Sequence, residues 1–362
     1  MTCFLQNVPV DCNDPRNYRT MWGIVYSCLL TVFACIWTAV HPDVPHSDGD
    51  AEFIGSRGGS VILSLVVPEW TLVPAWEEFV MSRRISEKYE MVEGWTSTHS
   101  YFVAMSGFFD PSTGRGVNTN ELQQYPGIIE NTGNTRKVAI TQKQILDRSK
   151  GDAFSKFLTV LQLLWFITQY VGRWASHLHI SQLETMALAY AALSLVLYVL
   201  WWDKPVNVQF PIHVTKESPS ETNADQQTPK TETDADADPT SRVEASEPKG
   251  LELLYISGVA GMVFGGIHCF AWSFPFLTHT EMVLWRVSAV YITVAPAFVL
   301  WIARARSNRA SNGITVFITA TLVLLYATAR VTLVVLTFTS LCSPPPDLYQ
   351  TPSWSSFFPH FG

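Results

Sequence analysis

Charge is the scarcest thing in this sequence. Only 15% of its 362 residues are Asp, Glu, Lys or Arg, where a soluble domain carries about 25%. A soluble chain of this length would need far more to cover its surface. The six cysteines form no CxxC pair and no metal-ligand spacing, which argues against a disulfide framework or a zinc site. No GxxxxGK(S/T) loop and no strand-borne GxGxxG is present, so neither ATP-driven transport nor a dinucleotide cofactor is expected. A nucleophile elbow is missing too. No Asn-x-Ser/Thr triplet occurs. The acidic run Asp234-Ala-Asp-Ala-Asp238 lies in Pro- and Thr-rich chain, where it reads as solvated acid and not as a magnesium-diphosphate box. Neither a metal nor a cofactor is expected, and nucleic acid is excluded as a partner.

What the chain has instead is apolar surface. It is 48% hydrophobic and 13% aromatic, with 13 Trp and 21 Phe. Six runs are long enough to cross a bilayer as helices, which takes about 20 residues: Met21–Val40, Ala153–Gly172, Leu183–Trp202, Leu251–Trp272, Met282–Ile302 and Gly313–Thr337. A seventh, Val61–Phe79, holds Pro68, Glu69 and Pro74, and reads as a kinked span or a re-entrant element. Trp95–Phe109 is too short to span and is expected at the interface or against the bundle. The fold expected is an all-α, polytopic bundle of about seven spans.

Its parts are a tail (1–20), an N-terminal membrane part (21–214) with a cytosolic loop near 80–152, an acidic linker (215–249), a three-span part (250–337) and a second tail (338–362). The linker has almost no apolar anchor and cannot offset chain entropy, so disorder is expected there; its charge offers a surface to a cytosolic partner. With seven spans, 19 of the 24 Lys and Arg fall on one side, which predicts a cytosolic N-terminus. An endomembrane, the endoplasmic reticulum first, is the expected location. If Val61–Phe79 does not span, only the N-terminal tail changes sides.

Ionisable groups inside a membrane are the best functional lead, because each costs about 2.5–3.5 kcal/mol to insert at the centre of a helix. Glu184, His268, Glu281, Arg286 and Arg330 fall toward one leaflet near Trp174, Trp272 and Trp285, as pair-forming ties or as the polar groups of an aromatic cavity. A Glu281–Arg286 ion pair is expected. Glu69, with no base within seven positions and beside Trp70, is expected buried and neutral, the form a general acid needs. Gly258, Gly261 and Gly265 form a small-residue stripe for close helix packing. Asp147, Lys150 and Asp152 read as a capping cluster.

Several stretches carry a resemblance. They are Arg19–Pro42, Gly94-Trp-Thr-Ser-Thr-His99 leading to Met105-Ser-Gly-Phe108, Asp147–Asp152, Trp201-Trp-Asp-Lys-Pro205, Phe264-Gly-Gly-Ile-His268 and Leu284-Trp-Arg-Val-Ser288. Together they resemble a large fungal family of multi-pass membrane proteins. The chain is also similar in size and hydropathy to the macrophorin-type integral-membrane terpene cyclases of meroterpenoid pathways. That resemblance implies protonation-initiated cyclisation of a farnesyl chain on a secondary-metabolite precursor, a lipophilic polyprenylated molecule reached through membrane lipid. It implies no residue roles. Local chemistry assigns Glu69 as acid, with Glu281 and Glu184 behind it, His268 as orienting group, and Trp70, Trp272 and Trp285 with Arg286 and Arg330 around the substrate. A non-enzymatic sensor, scaffold or trafficking factor is the alternative.

Overall fold

The computed structural model describes residues 19–39, 59, 61, 64–132, 135–149, 152–205, 208, 210–217, 250–306, 313–342 and 345–351. It is mostly helical. The acidic linker from 218 to 249, Asp234–Asp238 included, and both chain ends lie outside the described residues, as does Lys150.

The described helices are α1 (Met21–Ala39), α2 (Leu72–Lys88), α3 (Ser97–Ala104), α4 (Gln142–Leu146), α5 (Asp152–Ala175), α6 (Gln182–Leu200), α7 (Gly250–His268), α8 (His279–Arg306) and α9 (Gly313–Thr339). Four of them, α6 to α9, are long and apolar enough to cross a membrane by length and composition. Helix α1 contains a shorter apolar stretch, Met21–Trp37. Helix α5 covers the expected Ala153–Gly172 run but is broken up by Gln162, Gln169 and Arg173. Tryptophans, phenylalanines and leucines crowd the outer faces, among them Trp22, Phe33, Trp165, Phe317 and Leu324.

Helices α5 and α6 are joined by a tight turn, and α6 is the most enclosed of the four helices of spanning length, with Ala187, Ala189 and Ala191 fully buried. The glycine stripe brings α7 against α8. A Cβ on Gly265 would sit 2.6–2.8 Å from Thr293, and one on Gly258 would meet Leu300 at 2.6 Å. Only glycine permits that approach.

The first spans differ from a plain seven-span arrangement in two ways. Val61–Phe79, expected as a kinked span or a re-entrant element, is interrupted: Pro68 opens a separate 3-10 turn, Pro68–Thr71, and α2 then continues through Glu77, Glu78, Arg83, Arg84 and Lys88. The second difference concerns orientation. Arg19, just before α1, donates to Glu184 in the first turn of α6 at 2.5 and 3.2 Å, while Cys35 near the other end of α1 lies beside Ser194. Helix α1 therefore runs parallel to α6, and Arg19 lies at the end of the bundle opposite the basic 80–149 region. We call the α5–α6 turn the turn end, and the opposite end the lobe end.

The fold is not all-α. Between α2 and α5 the chain builds a small lobe with four short strands, and a fifth joins it from the chain after α6. Its three-stranded sheet has the order β2 (Arg115–Gly116), β1 (Phe108–Asp110), β5 (Ile212–His213). β1 is antiparallel to β2 and parallel to β5, with Phe108 opposite Ile212. A hairpin joins β3 (Ile129–Thr132) to β4 (Thr135–Val138), with Ile129 opposite Val138. Trp95–Phe109 neither spans nor lies flat; Phe102, Met105 and Phe108 form the lobe core with Ile85, Leu122 and Ile129.

The quoted motifs now have physical roles. In Gly94–His99, Thr96 caps α3 while His99 Nδ1 accepts from the Thr96 N–H at 3.1 Å and Nε2 donates to the Ile140 carbonyl at 2.8 Å. Gly94 has φ 85°, and a Cβ there would meet Val138 at 2.9 Å. In Trp201–Pro205, buried Lys204 meets Glu78 of α2 at 2.6 Å and stacks 4.7 Å from the Trp201 ring. The Asp147–Asp152 cluster divides: Asp147 ends α4 and Asp152 begins α5.

Two lobe groups make a pH prediction. Burial holds the His99 imidazole below its usual 6.5. The Ser112 hydroxyl, against a smaller burial penalty and with help from the Ser112 N–H and Tyr125, holds the Asp110 carboxyl below its usual range. Both bind fewer protons folded than unfolded, so lobe stability is full at pH 7 and falls as pH drops, first through His99 below about 6.5, then through Asp110 below about 3.8. Hydrogen exchange of the α3 amides should quicken between pH 7 and 5 beyond its intrinsic pH trend. His99→Gln should flatten that change; an unaltered profile in the variant counts against it.

Candidate functional site

The expected polar groups separate into two clusters. The first lies inside the bundle around Arg330 of α9. Its guanidinium donates to the Val66 carbonyl through Nε and Nη2 (3.2 and 3.1 Å) and to Glu69 Oε2 at 3.3 Å. Its Cζ lies 3.9 Å from the centre of the Phe264 ring. Tyr326, one turn earlier on the same face of α9, donates a short hydrogen bond to Glu69 Oε1. Tyr190 of α6 donates to the Leu65 carbonyl at 2.5 Å. The Pro68 break thus leaves two carbonyls and a carboxylate inside an apolar bundle, and α6 and α9 supply the donors.

Glu69 is buried as expected, but it is not unpaired: its carboxyl group lies against the Arg330 guanidinium and accepts from the Tyr326 phenol. A row of rings leads away from this pair. Tyr190 meets Phe264 edge-on at 5.3 Å, Phe264 meets His268 at 4.8 Å, His268 meets Trp285 at 6.1 Å, and Trp285 meets Phe276 at 6.0 Å. His268 Nδ1 bonds the Phe264 carbonyl at 2.8 Å, and the Trp285 indole donates to the His268 carbonyl at 3.3 Å. The structure therefore brings together Glu69, Arg330, His268 and Trp285.

It does not bring in the others. Trp70 is 51% exposed and faces outward, and Trp272 is 43% exposed. The expected Glu281–Arg286 pair is not formed. Glu281 accepts from the Thr278 N–H at 3.3 Å near the start of α8, whereas Arg286 donates twice to the Trp272 carbonyl (3.1 and 2.8 Å) and lies over its ring. The carbonyl at the end of the 3-10 turn Cys269–Ser273 competes for Arg286 and wins.

Glu184 anchors the second cluster, at the turn end. It receives Arg19, stands 4.0 Å from Arg173, and closes a capping box with Ser181. Arg173, 1% exposed, also donates to the carbonyls of His179, Leu348 and Gln350, while Arg19 donates to that of Leu348. Two cations and one carboxylate are balanced by backbone oxygens of the segment after α9, which is strapped over the turn.

Beside the strap, the α5–α6 turn and the α7–α8 turn enclose hollows. An apolar groove of about 340 Å³ is lined by Tyr170, Trp174, Ile180, Leu188, Phe270 and Phe274. This is an aromatic cavity near the expected leaflet; of the expected walls it includes Trp174 but not Trp272 or Trp285. Tyr326, Tyr190, Arg19 and Arg173 were also missed. The signal for Tyr326 was its i, i+4 spacing to Arg330. Among the described residues no group of three or more His, Cys, Asp or Glu could hold a metal ion.

Over residues 9–224 and 302–361 the chain matches a family described as a family of unknown function, DUF8562. The matched parts include Glu69, Glu184 and Arg330, and leave out His268 and Trp285. No curated protein and no solved structure matches the chain.

The buried pair makes a stability prediction. Arg330→Met strands the Glu69 carboxylate and should cost about 3–5 kcal/mol, since breaking a buried pair leaves an uncompensated charge. Combining it with Glu69→Leu should recover most of the loss, read as thermal unfolding in detergent. A double variant no more stable than Arg330→Met would refute the pairing.

Proposed function

The chain belongs to this family of unknown function, and we propose that it is an integral-membrane protein that takes a lipophilic, polyprenyl-type molecule directly from the bilayer. The observation that carries this reading is the groove. Its wall is apolar and largely aromatic, and the neighbouring outer surface of α5 carries Trp165 and Val171 exposed. Its volume falls near the lower end of the roughly 300–1,000 Å³ typical of small-molecule pockets. A ligand entering there never crosses water.

The membrane arrangement that goes with it has six crossing helices, α1 and α5 to α9, with the Pro68 turn as a re-entrant element reached from the lobe end. The excess of Lys and Arg at the lobe end makes that side cytosolic, and the endoplasmic reticulum fits such a protein. A tag at Asp225 should then be cytosolic, with tags before Met1 and after Gly362 both on the far side. Opposite faces for the two terminal tags would break the six-helix arrangement.

A second reading is that the ligand is cyclised, as in a metal-independent terpene cyclase. The row Phe264–His268–Trp285–Phe276, running from Tyr326 and Glu69 toward the α7–α8 turn, favours it. Ring faces stabilise a carbocation. In that reading Glu69 is the acid and Tyr326 positions it: the Glu69 proton adds to a terminal olefin and is returned when the ring-closed cation loses one, so no co-reactant is consumed. Co-expression with a farnesylated aromatic precursor should then yield a cyclised product of unchanged mass. Tyr326→Phe removes the hydrogen bond that positions Glu69 and should abolish that product at normal protein abundance. Wild-type protein that leaves the precursor open-chain rejects cyclisation and leaves uptake standing.

A further inference from the structure

The groove does not end in hydrocarbon. At Ile180 it adjoins two further hollows. One, of about 440 Å³, carries His177, His179 and Ser273 beside Trp174 and Phe274. The other, of about 280 Å³, carries Ser181, Gln182 and Ser340 beneath the strap residues Pro345 and Leu348. None of the residues lining the three hollows is Asp, Glu, Lys or Arg. The nearby guanidinium of Arg173 is spent on Glu184 and on backbone carbonyls.

His177 is placed at a cost. Helix α5 ends in a Schellman motif: the Leu178 N–H reaches the Arg173 carbonyl at 3.0 Å and the His177 N–H reaches that of Trp174 at 3.1 Å. This geometry puts His177 at the C′ position with φ 53°, where glycine is the strain-free residue. A strained non-glycine residue on the wall of a hollow points to a use for its side chain.

We infer that the ligand is an amphiphile: an apolar chain in the Tyr170–Trp174–Phe270–Phe274 groove and an uncharged, hydrogen-bonding head, a phenol, alcohol or carbonyl, between His177, His179 and Ser273. Imidazole and hydroxyl groups both donate and accept, which suits such a head. The Asp347 carboxylate, 3.4 Å from His179 Nδ1 at the rim of this hollow, would repel a phosphate or carboxylate head, so anionic lipids and prenyl phosphates are rejected. The inference rests on the groove reading and adds the head to it.

The test uses the full chain in nanodiscs and three probes sharing one farnesyl chain: a farnesyl hydroquinone, a farnesyl hydrocarbon without a head, and farnesyl phosphate. The hydroquinone should bind at least tenfold more tightly than the other two. His177→Gly removes the left-handed histidine, so its melting temperature should hold or rise, while the hydroquinone falls to within about twofold of the hydrocarbon. Leu188→Trp, which fills the groove, should reduce binding of the hydroquinone and the hydrocarbon alike. Phosphate binding as tight as hydroquinone, or a His177→Gly variant with undiminished hydroquinone affinity, overturns the inference. If the hydroquinone and hydrocarbon bind equally and Leu188→Trp displaces both, the groove stands and the head site falls. If no probe binds, or none responds to Leu188→Trp, the groove reading falls with it.

Discussion

Arg330 cannot be left alone inside an apolar bundle, and the answer to that constraint organises the protein. The counter-charge comes from Glu69, which is carried into the bundle on the 3-10 turn Pro68–Thr71. Pro68 breaks the helix there, and the break frees the carbonyls of Leu65 and Val66 to accept from Tyr190 and Arg330. Helix interruption and buried cation satisfy each other: without the break Arg330 lacks acceptors, and without Arg330 the broken backbone sits unsatisfied in hydrocarbon.

The same accounting operates at the turn end, with different currency. There Arg19 and Arg173 face a single carboxylate, Glu184, and the excess positive charge is absorbed by carbonyl oxygens of 347–350. Since those contacts are to backbone, they fix the path of the strap without using its side chains, of which Asp347 lies 3.4 Å from His179 and Leu348 is buried. Pro345 and Leu348 are then available to wall one of the hollows.

The apolar helices were legible because composition alone marks them, and the break at Pro68 was legible as a weakness in the seventh run. Pairing was not. Glu69 and Arg330 are 261 residues apart, and Arg19 and Glu184 are 165 apart; a search for bases within seven positions could not see them. That local search predicted a neutral Glu69 and paired Glu281 with Arg286. The lobe was missed for another reason: strands of two to four residues are too short to show alternation, and their order joins β1 to β5 across about a hundred residues of chain. The hollows are built from turn residues, which carry no periodic signal. At His177 the telling feature is a left-handed backbone angle, which the sequence does not display.

Helix α2 ties these parts into one mechanical unit. It begins at the turn that holds Glu69, passes Trp76, whose indole reaches Glu252 at the start of α7, and then Glu78, which holds Lys204. It ends with Ile85 in the lobe core, just ahead of Tyr89. A continuous helix transmits displacement along its axis because its own hydrogen bonds resist compression. The lobe is further fixed to the bundle by Tyr101, which donates to the Leu200 carbonyl, and by Lys156, which donates to that of Lys204. One continuous helix thus joins the lobe core to the Pro68 turn that faces Arg330, although the lobe lies outside the apolar helices.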